Sequence, residues 1–129
     1  MLVALTTLVW LFRDRIQWLV SAFYIQLLSL IGSILAYLSG EEMEAQSEGV
    51  PIVDELVHTH EEAALFATLA VGLSALVLLV TLVVHRSKTE HPDTPLGMRL
   101  LATIFVLLAA ILIALTAHVG GTMVWGTVR

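Results

Sequence analysis

Apolar positions run along this chain in long uncharged blocks, not in the alternation of a strand or the single stripe of a soluble helix. Ile16 to Leu38 is 23 residues without a charge, Ala63 to Val84 is 22, and Leu100 to Ala117 is 18. The last block continues uncharged through His118 to Val128. At a rise of ~1.5 Å per residue, each covers most or all of a hydrocarbon core of about 30 Å. The pattern predicts three spanning helices: helix two over 16–39, helix three over 52–85 and helix four over 98–126. Residues 1–12 are apolar too, but as helix they reach only ~18 Å. No basic segment precedes them and no small-residue cleavage site follows, so a signal peptide fits badly. They read as the second half of a first helix whose start lies outside this chain. The expectation is an all-α fold: one domain over residues 1–129, an antiparallel four-helix transmembrane bundle with a shortened first helix.

The punctuation between blocks supports this threading. Pro51 suits the first turn of a helix, with Asp54 and Glu55 near the positive end of its dipole. Pro92 and Pro95 stop helix three from running on, and Gly97 is expected to mark a turn before helix four. Arg13 and Arg15 fall in the first loop, and Arg86, Lys88 and Arg99 flank the third, so these two loops carry five of the six basic residues. The segment from Glu41 to Glu62 holds eight of the eleven acidic residues and no basic one. By the positive-inside rule the basic loops face the cytoplasm, and the acidic loop and the C-terminus lie outside. The expected location is a bacterial inner membrane. Trp10 and Trp18 bracket the first basic loop, while Tyr37 and Trp125 fall at the opposite helix ends, where interfacial aromatics belong.

Composition sharpens the class. Of 129 residues, 58% are hydrophobic and 13% charged, against roughly 45–50% and about 25% for soluble domains. There is no cysteine, which removes disulfides, thiolate metal sites and cysteine nucleophiles together. A net charge of −5 is a poor match to nucleic acid. H-E-x-x-H, a phosphate-binding glycine loop and G-x-S-x-G are all absent, so no hydrolase or transferase motif is present. At most the chain is a redox membrane subunit.

Small residues recur at spacings of three and four on each long helix: Ser29, Ser33, Ala36 and Gly40; Ala64, Ala67, Val71 and Ala75; Ala110, Ala114, Ala117 and Gly121. Such stripes allow close helix contacts in lipid, although alanine-rich membrane helices also show them by chance. The remaining chemistry is in five histidines. His58 and His60 precede the body of helix three and His118 closes helix four, so antiparallel threading brings them to one membrane face. His85 and His91 are at the other, roughly 37 Å from His60 along a continuous helix. His58 and His60 point about 200° apart, and His60 continues the stripe through Ala64 and Ala67. His118 lies beside Ala117 and Gly121, and Gly120 and Gly121 would let another backbone or a flat ligand approach. Two imidazoles facing one gap suit axial ligation of haem iron, or half of a zinc or copper site completed by Glu61 or Glu62. The plain alternative is that interfacial histidines bond only water and carboxylates, and for His58, His85 and His91 that reading leads. Glu41, Glu42, Glu44 and Glu48 read as a solvated loop.

Thr116-Ala117-His118-Val119-Gly120-Gly121, followed by Val124-Trp125, resembles the closing signature T-G-H-L-G-G…V-Y of a bacterial membrane family, domain of unknown function 2231. His60-Glu61 matches that family's histidine at the opening of helix three, and Ser39-Gly40-Glu41 its small-residue and glycine end to helix two. The resemblance covers essentially the whole chain. Ala117 stands where the family has glycine, and Trp125 where it has tyrosine. The family's His-Pro and second histidine at the start of helix one have no counterpart here. The resemblance implies a four-helix bundle with inward histidines, similar to small haem b membrane cytochromes, and a redox setting.

Three readings follow. The leading one is a haem b or redox-metal electron-transfer domain with ligands His60 and His118, cofactor contacts at Gly120 and Gly121, and Glu61 or Thr116 beside them. Its partners would be the lipid bilayer and periplasmic redox proteins or quinol. The second is a copper-, zinc- or iron-binding, transport-associated membrane protein. The third is a cofactor-free structural or interaction subunit.

Overall fold

The computed structural model describes residues 1–47, 51–87 and 93–125, without the side chains of Glu41 and of residues 43–47, 51–56 and 122–125. Four helices follow in chain order: α1 (Leu2–Arg13), α2 (Ile16–Ser47), α3 (Pro51–Ser87) and α4 (Leu96–Trp125). Three of them contain segments long and apolar enough to cross a membrane, Ile16–Gly40, Val57–Ser87 and Leu96–Gly121, and α1 is the short apolar one. The outside of the bundle is apolar, with Leu28, Leu35, Leu69, Ile104 and Ile111 all at least half exposed. In water that surface would be untenable; against hydrocarbon it is the expected exterior. The chain is a membrane protein built as an all-α four-helix bundle with a short first helix.

The helices neighbour one another in a ring, α1 to α2 to α3 to α4 and back to α1. Among the described residues, α2 and α4 make no close backbone approach, nor do α1 and α3. Thus α3 and α1 occupy opposite corners, and α1 separates α2 from α4 only as far as it reaches. Its 12 residues lie toward the end of the bundle that carries Arg13, Arg15 and Arg99, hereafter the basic end. The core clusters there: Val3, Ala4 and Trp10 of α1 with Leu19 and Ala22 of α2, Leu78 and Leu82 of α3, and Ala102 and Val106 of α4.

Several sequence expectations shift. The segment Glu41 to Glu62 is largely helix rather than loop, because α2 runs on to Ser47 and α3 begins at Pro51. Glu, Met, Ala and Gln after Gly40 are good helix formers, so the acidic residues extend both helices past their apolar spans. Gly97 lies inside the first turn of α4 instead of in a turn before it. That turn opens after Pro95, whose carbonyl accepts from the Met98 and Arg99 amides. Trp10 is fully buried among the core side chains, not at an interface. Trp125 falls outside the described side chains.

The basic end is tied by a polar clasp that the hydrophobic pattern does not foreshadow. Asp14 closes α1 in the left-handed conformation, φ 33° and ψ 47°, its amide donating to the Trp10 carbonyl. Aspartate tolerates that region better than most residues. Its Oδ2 accepts the Thr94 amide at 3.0 Å and lies 3.8 Å from Arg99 Nη1. Arg99 Nη1 also donates to the Leu11 carbonyl at 3.0 Å, and Thr94 Oγ1 lies 2.8 Å from His85 Nδ1. One carboxylate thereby joins the end of α1, the end of α3 and the start of α4.

Candidate functional site: a cleft closed at one end by His60

Beyond the first turn of α1 nothing among the described residues stands between α2 and α4, and a cleft opens over α3. Its inner part, about 260 Å³, is lined by Met1 and Val3, by Gln26 and Ser29 of α2, and by α4 from Val106 to Ala117. The outer part, about 250 Å³, is lined by Ser33, Ala36 and Tyr37 of α2, by His60, Ala64 and Thr68 of α3, and by Thr116 of α4. Ile113 and Ala117 border both. Each volume is near the lower end of the range for small-molecule pockets.

The small-residue stripes explain the shape. On α3 the stripe faces inward as expected, with Ala67, Val71 and Ala75 buried. On α2 and α4 the sequence suggests helix contacts, yet Ala36, Gly40, Ala114 and Ala117 are exposed. Ala36, Ala114 and Ala117 line the cleft, and Gly40 lines the smaller cavity beside Tyr37.

His60 stands at the acidic end, the end of the bundle bearing Glu61 and Glu62. The ring lies against the backbone of Gly120: a methyl there would come 2.9 Å from Cε1 and 3.4 and 3.5 Å from the ring nitrogens. Glycine at 120 is what lets α4 approach. The space proposed for a flat ligand at Gly120 is therefore occupied by the His60 ring itself, while Gly121 has open space around it. His60 Nδ1 is buried and has no hydrogen-bond partner. Nearby, Tyr37 Oη lies 3.5 Å from Glu61 Oε1, around a small cavity of about 50 Å³ that His60 also borders. That is room enough for water.

His118 is placed differently. Thr116 Oγ1 donates to the Ala63 carbonyl at 3.0 Å, so Thr116 and Gly120, four residues on, mark the side of α4 that meets α3. Two residues from each, His118 projects from nearly the opposite side. It is exposed, in line with Ile111 and Leu115, which are 57% and 55% exposed. The structure thus brings His60 and Gly120 together but does not turn the His118 imidazole toward His60. Sequence reasoning placed both histidines at one end of the bundle, yet the phase of α4 sends the second outward. Thr116 is held by Ala63 and by the Leu112 carbonyl. Among the described residues no group of three or more His, Asp or Glu side chains is disposed to hold a metal ion.

The other histidines take local roles. His58 lies 3.6 Å from Glu62 one turn on, both side chains about two-thirds exposed, and His85 joins the clasp. His91 lies outside the described residues. The group that sequence reasoning missed is Gln26, 1% exposed at mid-bundle. Its amide nitrogen donates to the Val71 carbonyl at 3.2 Å and to Ser74 Oγ. The signal was available, since a polar side chain amid an uncharged span is costly unless it finds a partner.

No family model matches this chain, and neither a curated protein nor a solved structure matches it.

Proposed function

We propose that the chain is an integral membrane domain that binds a ligand at the acidic end of the bundle, with His60 as the ligand's polar contact. The observation that carries this is the His60 imidazole, seated against Gly120 and lining a small cavity with Tyr37 and Glu61. Its Nδ1 finds no partner in the protein, whereas buried polar atoms are almost always satisfied. We place the protein in a bacterial inner membrane, acidic end and C-terminus outside, on the charge asymmetry of its loops. A relationship to the domain of unknown function 2231 rests on the quoted motif residues alone.

The haem b or redox-metal reading asks His60 and His118 to meet across one iron, copper or zinc ion. The two side chains do not fit a common ion, since His118 projects away from the face of α4 that His60 touches. No electron-transfer step to quinol or a periplasmic redox protein follows from these residues.

Purification of the chain in mild detergent, with an absorption spectrum, metal analysis and mass spectrometry of co-purifying small molecules, tests the proposal. The expected result is a bound molecule that His60→Ala loses and His118→Ala keeps. Equal retention by wild type and His60→Ala overturns it. So does a haem absorption band that both substitutions abolish, which would restore the redox reading.

A further inference from the structure

The segments 13–15 and 86–99 hold five of the six basic residues and three of the eleven acidic ones, Asp14, Glu90 and Asp93. By sequence, the turn between α1 and α2, Arg13-Asp14-Arg15, carries its own counterion. The fold withdraws it. Asp14, in its left-handed conformation, gives its carboxylate to the clasp, where the Thr94 amide and Arg99 take it. Its side chain is 15% exposed, whereas Arg13 and Arg15 on either side of it are exposed. Among the described residues the ion pairs are His58 with Glu62 and Arg99 with Asp14. Neither Arg13 nor Arg15 therefore has a carboxylate, and nor does the exposed Arg86 near the end of α3. Asp93, exposed before the start of α4, is the remaining described acid at this end; Lys88, Glu90 and His91 lie outside the described residues.

The two arginines also have a defined depth. Arg15 directly precedes the apolar span that opens at Ile16, which puts it at the level where hydrocarbon gives way to headgroups. Phe12, next to Arg13, is 82% exposed, an apolar ring that lipid chains cover and water does not. Two residues apart, Arg13 and Arg15 have Cα atoms separated by no more than ~7.6 Å, so both long side chains reach one phosphate. Guanidinium groups bind phosphate oxygens bidentately, and an ammonium carried on the same headgroup would meet like charge. We propose that the Arg13–Arg15 turn is a headgroup site for one anionic phospholipid of the leaflet at the basic end. The lipid's phosphate oxygens accept from both guanidinium groups, and one of its chains lies against Phe12. The clasp keeps the Asp14 charge away from that phosphate. No covalent step is involved; the turn selects a lipid from the bilayer.

The test places the whole chain in nanodiscs of equal parts glycerol and ethanolamine phospholipid, releases it gently, and compares the retained lipids by native mass spectrometry. Wild type is expected to retain the anionic glycerol phospholipid in preference. One basic residue at an anionic surface contributes roughly a fivefold factor. Arg13→Gln and Arg15→Gln should therefore each lower the preference about fivefold, and the double variant should bring it near parity. Arg86→Gln removes the same charge from α3, at the corner opposite α1, and leaves the preference unchanged. Circular dichroism confirms that the variants keep their helices, as expected for exposed side chains outside the clasp. Millimolar inorganic phosphate leaves the lipid in place. Equal retention of the two lipids by wild type, or a preference unmoved by the double substitution, overturns the site. A loss in Arg86→Gln as large as in Arg13→Gln overturns it too, since diffuse surface charge then accounts for the selection. Displacement by inorganic phosphate overturns the lipid as occupant.

Discussion

Replacing Gly120 by alanine tests the contact on which the site depends. In a helix interior, alanine is favoured over glycine by about 0.8–1.0 kcal/mol. At Gly121 a new methyl meets nothing within 4 Å, so Gly121→Ala is expected to show that gain undiminished. At Gly120 the methyl would come 2.9 Å from His60 Cε1, closer than carbon atoms pack. Either the imidazole leaves its seat or α3 and α4 part, and overpacking of this kind costs about 1–3 kcal/mol. The two terms leave Gly120→Ala between neutral and about 2 kcal/mol destabilising. In a His60→Ala background the obstacle is gone, and Gly120→Ala should recover the gain seen at Gly121. The measurement is reversible unfolding in mixed micelles on titration with dodecyl sulfate, followed by helical circular dichroism, for the four members of the cycle. The coupling between positions 60 and 120 is expected at about 1–3 kcal/mol. A coupling below about 0.3 kcal/mol, or a Gly120→Ala as stabilising as Gly121→Ala, would show that the ring does not rest on α4.

Three further outcomes follow from the same geometry. Asp14→Ala removes the acceptor of the Thr94 amide and the partner of Arg99, whose side chain is 17% exposed; a loss of about 2–3 kcal/mol is expected, and Asp14→Asn, which keeps an acceptor and tolerates the left-handed backbone, should lose less in the same unfolding assay. Gln26→Leu should cost about 1 kcal/mol, within the span measured for hydrogen bonds between membrane helices, and adding Ser74→Ala should cost little more, because one network is being broken twice; fully additive losses would argue against the pair. Because the chain has no cysteine, single cysteines at Glu48 and Arg129 can be labelled without background. Both should react with an impermeant maleimide from the outer side of intact cells; labelling of neither would reverse the assigned orientation, and labelling of only one would refute the pair of spans between them.

How far the sequence reached can be judged element by element. The spans were legible because lipid imposes one rule, that backbone groups be satisfied within apolar helices, and that rule writes itself as the uncharged blocks at Ile16, Ala63 and Leu100. The start of α3 at Pro51 was legible because proline has few permitted places in a helix. The reach of α2 to Ser47 was not, since charge signals exposure without saying whether the exposed backbone is helical. Trp10 was misplaced for a related reason: proximity to Arg13 suggested an interface, whereas its burial depends on Leu19, Leu78 and Val106 arriving from three other helices. Likewise, the small-residue stripes told where close packing was permitted but not which were used. That depended on how the helices neighbour one another, a property of the assembled ring.

The histidines show the same division between end and face. Threading alone determines which residues share an end of the bundle, and it puts His60 and His118 together. Which of them look at each other is set by rotation of α4 about its own axis. Two independent contacts define that rotation, the Thr116 hydroxyl on the Ala63 carbonyl and Gly120 against the His60 ring. Turning α4 to bring His118 inward would break both and expose Val106 and Ala109, which are now buried. The glycines that suggested a flat cofactor beside His118 therefore have a different consequence: one of them seats the neighbouring imidazole. Among the described residues, chemistry at this end of the bundle starts from that ring with Tyr37 and Glu61 beside it.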